Sequence, residues 1–198
     1  LGAINTVWIE NGTLCGTNTD GYGFLANLDD RHPGWDAPAR RSQGALVLGA
    51  GGASRAIIHA LVQRHFLPVV IANRTLEKAE QLAEQFGQSC RVLEITSATP
   101  EYVNPSLIVN TTSIGMGDGA SAIDLTGFDP TTLVHDIVYS PLITPLLKQA
   151  QTLGMPFVDG LGMLLHQAVP GFEKWFGVRP QVDDTLRGLI LRDLGADS

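Results

Sequence analysis

A glycine-rich loop at residues 49–54 lies between a short apolar segment and a segment with helical periodicity. The apolar residues 45–49 predict a strand that enters the loop, and a helix is expected to begin near Gly52. Gly49 permits a tight turn, and Gly51 leaves no Cβ in the path of a phosphate. The first N–H groups of the helix and its positive dipole end would face that phosphate. The loop therefore predicts a dinucleotide-binding α/β domain over residues 45–160, although Ser54 takes the third glycine position of G-x-G-x-x-G.

Apolar segments rich in Val, Ile and Leu alternate with helical patterns through the middle of the chain. Such near-continuous apolar character is typical of strands that are buried on both faces of a parallel sheet. The alternation predicts an α/β fold with a doubly wound parallel Rossmann sheet and helices on both faces. The predicted strands are residues 45–49, 68–72, 91–95, 107–110, 133–138 and 156–158, and the predicted helices between them are 53–65, 75–86 and 144–153.

Three further segments lie outside this alternation. Residues 1–20 have a strand–turn–strand pattern around Asn11-Gly12, which is a hairpin signal. Residues 31–42 contain two prolines and a glycine without periodicity, and they predict a loop. Near the end of the chain, helices are expected at residues 162–176 and 183–194.

The residues after the second predicted strand indicate which dinucleotide the loop accepts. NAD enzymes carry an acidic residue there, about 20 residues beyond the glycine motif, which binds the ribose 2′-hydroxyl. Here Asn73 and Arg74 occupy that place, and Lys78 lies one helical turn beyond Arg74. A guanidinium fork suits a 2′-phosphate, so the sequence predicts NADP rather than NAD. The alternative interpretation places both cations in a solvated helix start.

Composition narrows the classes of partner. The net charge of −7, without a basic cluster, repels nucleic acid and anionic membranes, so a small-molecule substrate is expected. No apolar run approaches the about 20 residues of a membrane span, and no signal peptide is visible. Cys15 and Cys90 lack metal-ligand spacing, and we expect reduced thiols in a cytoplasmic protein without a metal site.

Taken together, seven short stretches resemble the shikimate dehydrogenase family in order and spacing. They are GAINTV at residues 2–7, NTDG at 18–21, GAGGASRA at 49–56, NRT at 73–75, NTTS at 110–113, DIVYSP at 136–141 and DGLGML at 159–164. The family reduces 3-dehydroshikimate to shikimate with NADPH, in aromatic amino-acid biosynthesis. The resemblance therefore implies an NADP-dependent oxidoreductase that acts on a CH–OH group.

The resemblance also implies roles at the matching positions. Asp20 is implied to be catalytic, and substrate contacts are implied for Asn5, Asp20, Tyr139 and Gln167. Thr19 is implied to support them through its backbone. Cofactor contacts are implied for Gly49, Ala50, Gly51, Gly52, Ala53, Ser54, Asn73, Arg74, Thr75, Lys78, Thr112, Ile137, Gly160 and Met163.

From the residues alone, several of these positions keep a structural interpretation. Asp20 could be only the N-cap of the helix that follows it. Asn5 could satisfy a turn, Tyr139 could be a packing aromatic, and Gln167 could be a solvated helix residue. The five histidines, which include His135, are interpreted as structural or surface residues.

The resemblance divides the chain into three parts. Residues 1–20 match the C-terminal edge of a second α/β domain that binds substrate. Residues 21–160 match the NADP-binding Rossmann domain, and residues 161–198 match helices that return to the second domain. The chain opens at Leu1 without Met in a segment that predicts a loop and a strand, so we expect sequence upstream of it.

Parts of the family's machinery have no match in this chain. The family pairs a lysine with the aspartate for proton transfer, and it binds the substrate carboxylate with two serines. The lysine and the two serines precede the GAINTV stretch in the family. Lys78, Lys148 and Lys174 do not fit that lysine. We therefore expect a cofactor-binding fragment that binds NADP without turnover. Its returning helices, with Leu161, Leu164, Leu165 and Trp175, are expected to expose apolar surface and to favour self-association.

Three alternatives remain open at this stage. A quinate/shikimate dehydrogenase differs by one substrate hydroxyl, and such relatives often accept NAD and carry an acidic residue where Asn73 stands. A non-catalytic NADP-binding module would fit a loss of Asn5, Asp20 or Gln167, but all three are present. A relative of methylene-tetrahydrofolate dehydrogenase is disfavoured by the NTDG and DGLGML stretches.

Overall fold

The apolar segments predicted as strands form one six-stranded parallel sheet in the computed structural model, which describes residues 2–117 and 119–195. A separate two-stranded hairpin precedes the sheet, and helices fill the intervals between the strands. In chain order the elements are β1 Thr6–Glu10, β2 Thr13–Thr17, α1 Asp20–Arg31, α2 Pro38–Gln43, β3 Ala45–Leu48, α3 Gly52–Gln63, β4 Val69–Asn73, α4 Leu76–Ala83, β5 Cys90–Glu94, β6 Leu107–Asn110, β7 Leu133–Asp136, α5 Pro145–Thr152, β8 Phe157–Val158, α6 Leu161–Phe176 and α7 Asp184–Asp193.

The strand order confirms the predicted fold class. Along the sheet the strands run β5-β4-β3-β6-β7-β8, and every pair is parallel. The chain therefore winds outward from β3 in one direction and, after returning to β6, outward in the other. The connections after β3 and β6 leave the sheet on opposite sides, which opens a crevice at the carboxyl ends of these two strands.

Two apolar cores lie on the two faces of the sheet, because β3 is buried on both. Ala45 and Val47 belong to the core that includes α1, α3 and α4, while Leu46 and Leu48 belong to the core that includes α5. Every residue of β3, β6 and β7 is buried, including the polar residues Asn110, His135 and Asp136 in β6 and β7.

The predicted hairpin at the start of the chain is confirmed. β1 and β2 pair antiparallel, with Glu10 opposite Thr13. Asn11 and Gly12 have φ values of 50° and 77°. This left-handed pair is the geometry that a two-residue hairpin turn with the strand twist requires.

Some predicted boundaries were wrong. Residues 31–42, predicted as a loop, contain most of the short helix α2. Helix α2 has no buried residue, so its sequence shows no helical periodicity. The helix is held instead by Arg40, whose guanidinium donates to Ser106 O at 2.9 Å. The predicted helix 75–86 ends at Ala83, and the predicted strand 133–138 ends at Asp136.

The expectation of apolar exposure on the C-terminal helices is met for some residues only. Trp175 is 55% exposed, and the nearby hairpin exposes Ile9 and Leu14 at 74% each. Leu161, however, is fully buried in the first turn of α6, a helix that packs against α1. Leu164 and Leu165 are half-buried.

The assignment of residues 1–20 and 161–198 to a second domain remains a prediction, and Leu1 and residues 196–198 within it lie outside the described residues. In the part of the chain that the structure describes, no helix has the length and apolar character of a bilayer span. Within the same residues, no group of three or more His, Cys, Asp or Glu side chains is placed to hold a metal ion. Cys15 and Cys90 are free thiols.

Candidate cofactor and substrate site

The crevice at the switch between β3 and β6 brings together most of the residues predicted to bind a dinucleotide. A cavity of about 310 Å³ opens there between the glycine loop, the end of β4 and the loop after β6. Its lining residues are Gly49, Ala50, Gly51, Asn73, Arg74, Thr75, Lys78, Thr111, Thr112 and Ser113.

The three glycines of the loop are required for different reasons. Gly49 has a φ of +106°, and a Cβ on it would lie 2.8 Å from Thr111 Oγ1, so the fold itself excludes a side chain here. A Cβ on Gly51 or Gly52 would meet no protein atom within 4 Å. Neither backbone conformation nor internal packing accounts for the missing side chains at these two positions. The space beside them fits a group from outside the chain, at the start of α3.

Ser54, at the third glycine position, joins the glycine loop to the loop after β6. Thr111 Oγ1 donates to Leu48 O at 2.7 Å, so its oxygen accepts from Ser54 Oγ at 2.6 Å. Ser54 Oγ in turn accepts from Gly51 N at 3.0 Å. Ser54 is fully buried. This series of hydrogen bonds holds the phosphate loop in one conformation in the absence of a third glycine.

The far end of this cavity is positively charged. Arg74 and Lys78 are exposed side chains on its wall, and among the described residues that line it no carboxylate occurs. Asn73 donates its side-chain amide to Thr75 O at 2.7 Å, which fixes the turn between β4 and α4. The structure thus places both predicted cations at one end of the crevice, on the turn that leads into α4.

A second cavity of about 310 Å³ continues the crevice along the loops after β6 and β7. Thr112, Ile137 and Tyr139 line it, and Tyr139 is 38% exposed. Gly160, which precedes α6, lies so close to Ile137 O that a Cβ would not fit. Met163 is only 6% exposed and packs in the core beside this cavity rather than lining it.

Asn5 and Asp20, the predicted substrate pair, are in direct contact. Asn5 Nδ2 donates to Asp20 Oδ1 at 2.7 Å, and Asn18 Nδ2 donates to Asp20 Oδ2 at 3.2 Å. The oxygen of the Asn5 amide accepts from Thr19 N at 2.9 Å and from Thr19 Oγ1 at 3.1 Å. Asn5 therefore does satisfy a turn, and by doing so it directs its NH₂ group at the half-buried carboxylate.

The alternative interpretation of Asp20 as a helix N-cap was wrong. Helix α1 begins at Asp20 itself and Thr19 is its N-cap, without a side-chain capping bond. The carboxylate is held by two side-chain amides instead. Gln167 lies where α6 crosses α1, since a Cβ on Gly23 would lie 2.7 Å from Gln167 Cβ. Gln167 is half-buried on α6, and its contact Gly23 lies about one helical turn after Asp20 on α1.

His135 confirms the interpretation of that histidine as structural. It is fully buried in β7, and its Nδ1 is 2.9 Å from Val158 O. Burial lowers the pKa of His135 to about 4. The ring is therefore neutral at physiological pH.

Sequence reasoning missed several residues of this region. Thr111 and Ser113 line the crevice beside Thr112. Asn110 and Asp136, which end β6 and β7, are fully buried and hydrogen-bonded to each other. The available signal was a polar residue at the end of two neighbouring apolar strands.

Comparisons with known proteins show what this chain is similar to. The family model Shikimate / quinate 5-dehydrogenase matches residues 37–114, and the model Shikimate 5'-dehydrogenase C-terminal domain matches residues 160–187. A curated relative, the shikimate dehydrogenase (NADP(+)) of Rhizobium meliloti, is 56% identical over 196 residues, which cover 98% of this chain and 67% of the relative.

Solved structures show the same likeness. Shikimate 5-dehydrogenase from Thermus thermophilus, in complex with NADP(H) and shikimate, superposes with a TM-score of 0.80 at 36% identity, over 98% of this chain and 69% of that one. Quinate dehydrogenase from Corynebacterium glutamicum, in complex with NAD, superposes with a TM-score of 0.83 at 30% identity over 96% of this chain and 68% of that one.

Proposed function

The chain belongs to the shikimate dehydrogenase family, and from this premise we propose that it forms the NADP-binding part of an NADP-dependent enzyme that interconverts 3-dehydroshikimate and shikimate. One observation carries the proposal. A single crevice joins open space beside Gly51 and Gly52 to a wall with Arg74 and Lys78. Relatives named as NADP(+) enzymes, at 52–56% identity, support the same cofactor.

The residues of the crevice fit a dinucleotide phosphate end to end. The first turn of α3 leaves backbone N–H groups without intrahelical acceptors, and these would bind the pyrophosphate. Arg74 and Lys78 would bind the 2′-phosphate through charge-assisted hydrogen bonds. Thr112, Ile137 and Gly160 would border the nicotinamide, and Met163 would support that wall from within the core. When bound, NADPH would supply the hydride that reduces a substrate ketone.

Asp20 and Asn5 would bind the substrate. The half-buried carboxylate of Asp20 accepts from two side-chain amides and can still accept a hydrogen bond from a substrate hydroxyl. That contact would orient the reacting carbon and assist proton transfer at its oxygen. Gln167 and Tyr139 are proposed as further substrate contacts, because they lie next to α1 and at the second cavity respectively.

We further propose that this chain by itself binds NADPH without turning over shikimate. The chain spans about two thirds of the length of the curated relatives that it matches. Of its three lysines, Lys78 lies at the phosphate end and Lys148 lies on α5. Lys174 lies 4.9 Å from the Trp8 ring and 3.6 Å from Glu10. None of these residues is placed beside Asp20, as the proton-transfer lysine that the family resemblance implies would be. Loss of a positioned acid–base group typically lowers a rate by about 10²–10⁴-fold.

A calorimetric titration of the purified chain with NADPH and then with NADH tests both parts. We expect clear NADPH binding, NADH binding weaker by at least about tenfold, and no NADPH formation from NADP⁺ and shikimate. Binding of neither nucleotide would mean that the glycine loop is a structural turn, and equal binding would contradict the preference for NADP. Shikimate-dependent NADPH formation would contradict the proposed inactivity of the chain alone.

The alternative of a quinate/shikimate dehydrogenase is separated by the same titration. The quinate dehydrogenase among the structural relatives is in complex with NAD. In this chain Asn73 stands where NAD-using relatives are expected to carry an acidic residue, and its amide is engaged with Thr75 O. NADH binding that equals or exceeds NADPH binding would favour the alternative.

A further inference from the structure

Two polar residues are buried at the carboxyl ends of neighbouring strands, beneath the second cavity. Asn110 ends β6 and Asp136 ends β7, and the two are direct partners in the register of the parallel sheet. Both are fully buried. Burying a carboxylate is costly unless hydrogen bonds replace its water shell, so the contacts of Asp136 require an explanation.

Asp136 accepts hydrogen bonds from three separate segments. Asn110 Nδ2 donates to both carboxylate oxygens at 3.1 Å, Val138 N donates to Oδ1 at 3.0 Å, and Thr144 Oγ1 donates to Oδ2 at 2.7 Å. Burial raises the pKa of Asp136, while these hydrogen bonds act in the opposite direction. The carboxylate thereby ties together the end of β6, the loop after β7 and the start of α5, where Thr144 is the N-cap.

Asn110 transmits this constraint to the loop after β6. Its side-chain oxygen accepts from Thr112 N at 3.1 Å and from Thr112 Oγ1 at 2.7 Å. Thr112 Oγ1 in turn accepts from Ile114 N at 3.2 Å. Because Asp136 accepts and Thr112 donates, the orientation of the Asn110 amide is determined by both neighbours. A flipped amide would place its NH₂ group against the Thr112 N–H.

The two loops that this network fixes are the two walls of the second cavity. Residues 111–113 and 116 form one wall, and residues 137–140 form the other. Asp136 is hydrogen-bonded to the backbone of the second wall and, through Asn110, to the first. Asn110 and Asp136 do not line either cavity themselves. Their effect on a bound molecule would therefore act through Thr112 and Val138.

We propose that Asp136 and Asn110 are positioning residues, which set the separation of the walls that take the nicotinamide half of NADPH. The inference rests on the proposed function, because the cavity is assigned to the nicotinamide only through that proposal. The adenine half of the cofactor would bind at Arg74 and Lys78, which take no part in the hydrogen bonds of the network, although Thr112 also lines their cavity. A disturbed network should therefore weaken one half of the binding site and spare the other.

Two ligands separate the halves experimentally: NADPH and adenosine 2′,5′-bisphosphate, which lacks the nicotinamide. Asp136→Asn puts an N–H against Asn110 Nδ2 in either orientation, because that donor contacts both oxygens. Thr112→Val removes the hydroxyl at nearly constant volume, and Thr112→Ser restores it. Asp129→Asn is the matched control, since Asp129 is an exposed carboxylate in the segment before β7.

We expect Asp136→Asn and Thr112→Val to weaken NADPH binding by about tenfold, and adenosine 2′,5′-bisphosphate binding by less than about twofold. Asp129→Asn should bind both ligands within about threefold of the unsubstituted chain, and Thr112→Ser should recover most of the NADPH binding that Thr112→Val loses. Circular dichroism shows whether each variant is folded. If Asp136→Asn does not fold, Thr112→Val and its rescue by Thr112→Ser decide the question.

Each other outcome overturns a specific claim. Equal weakening of both ligands in the folded variants, or unchanged NADPH binding, would show that the network has only a structural role. An unsubstituted chain that binds NADPH no more tightly than adenosine 2′,5′-bisphosphate would show that the nicotinamide does not use this cavity. Failure of the unsubstituted chain to bind either ligand would instead overturn the proposed function.

Discussion

Replacement of Arg74 by alanine should convert a chain that prefers NADPH into one that discriminates weakly between NADPH and NADH. Arg74 is an exposed side chain on the wall of the crevice, so water and salt screen its interaction with a phosphate. A hydrogen bond to a charged group contributes about 1.5–3 kcal/mol, and exposure favours the lower part of this range. A loss of about 2 kcal/mol corresponds to roughly thirtyfold weaker NADPH binding.

The assay is a pair of calorimetric titrations, with NADPH and with NADH, at low and at physiological ionic strength. NADH lacks the 2′-phosphate and should bind Arg74→Ala as it binds the unsubstituted chain. Lys78→Ala should have a smaller effect, because an ammonium group forms no bidentate contact. Arg192→Ala is the matched control, since it removes the same charge from an exposed position on α7.

Two results would refute this reasoning. If Arg74→Ala weakened NADPH and NADH equally, the side chain would act on the fold or on the part common to both cofactors. If Arg192→Ala weakened NADPH as much as Arg74→Ala, the effect would arise from net charge rather than from a contact. The difference between the two arginines should also shrink as salt is added.

Three further outcomes are expected. Gly51→Ala should change the free energy of unfolding by less than about 0.5 kcal/mol yet weaken NADPH binding more than about tenfold. Gly49 has a φ of +106°, so Gly49→Ala should lower the free energy of unfolding by about 1–2 kcal/mol or more in urea titrations. His135 is neutral in the fold but takes up a proton below about pH 6.5 when unfolded, so stability should fall as the pH drops from 6.5 towards 4. The contribution of His135 to this loss of unfolding free energy, measured by comparison with His135→Gln, should be about 2 kcal/mol between pH 7 and 5. Burial raises the pKa of Cys90 to about 11, so mass spectrometry should find it alkylated far more slowly than an ordinary exposed thiol at pH 8.

Local sequence was sufficient where one segment contains its own reason for a structure. The hairpin turn at Asn11 and Gly12 needs two residues in the left-handed conformation, and Asn and Gly are the residue types that favour it. The strands of the sheet have apolar sequence because both faces are covered. The glycine loop is recognisable for the same reason. Gly49 adopts a backbone conformation that favours glycine, Gly51 borders open space, and the two glycines lie at a fixed spacing.

Local sequence failed where a contact across the fold supplies the reason. Helix α2 has no buried face, and Arg40 fixes it through a carbonyl 66 residues away. Leu161 was expected on an exposed surface, but it is fully buried in the first turn of α6, which packs against α1. Asp20 was interpreted as an N-cap because its actual partner, Asn5, lies 15 residues earlier in the chain, just before β1.

The fold class, the glycine loop and the two cations that follow β4 can be predicted from the sequence, because each depends on residues close together in the chain. The hydrogen-bonded series of Asp136, Asn110 and Thr112 becomes visible only in the folded chain. The physical reason is the strand register: Asn110 and Asp136 are 26 residues apart, and a shift of one residue between β6 and β7 would turn one of them to the opposite face of the sheet.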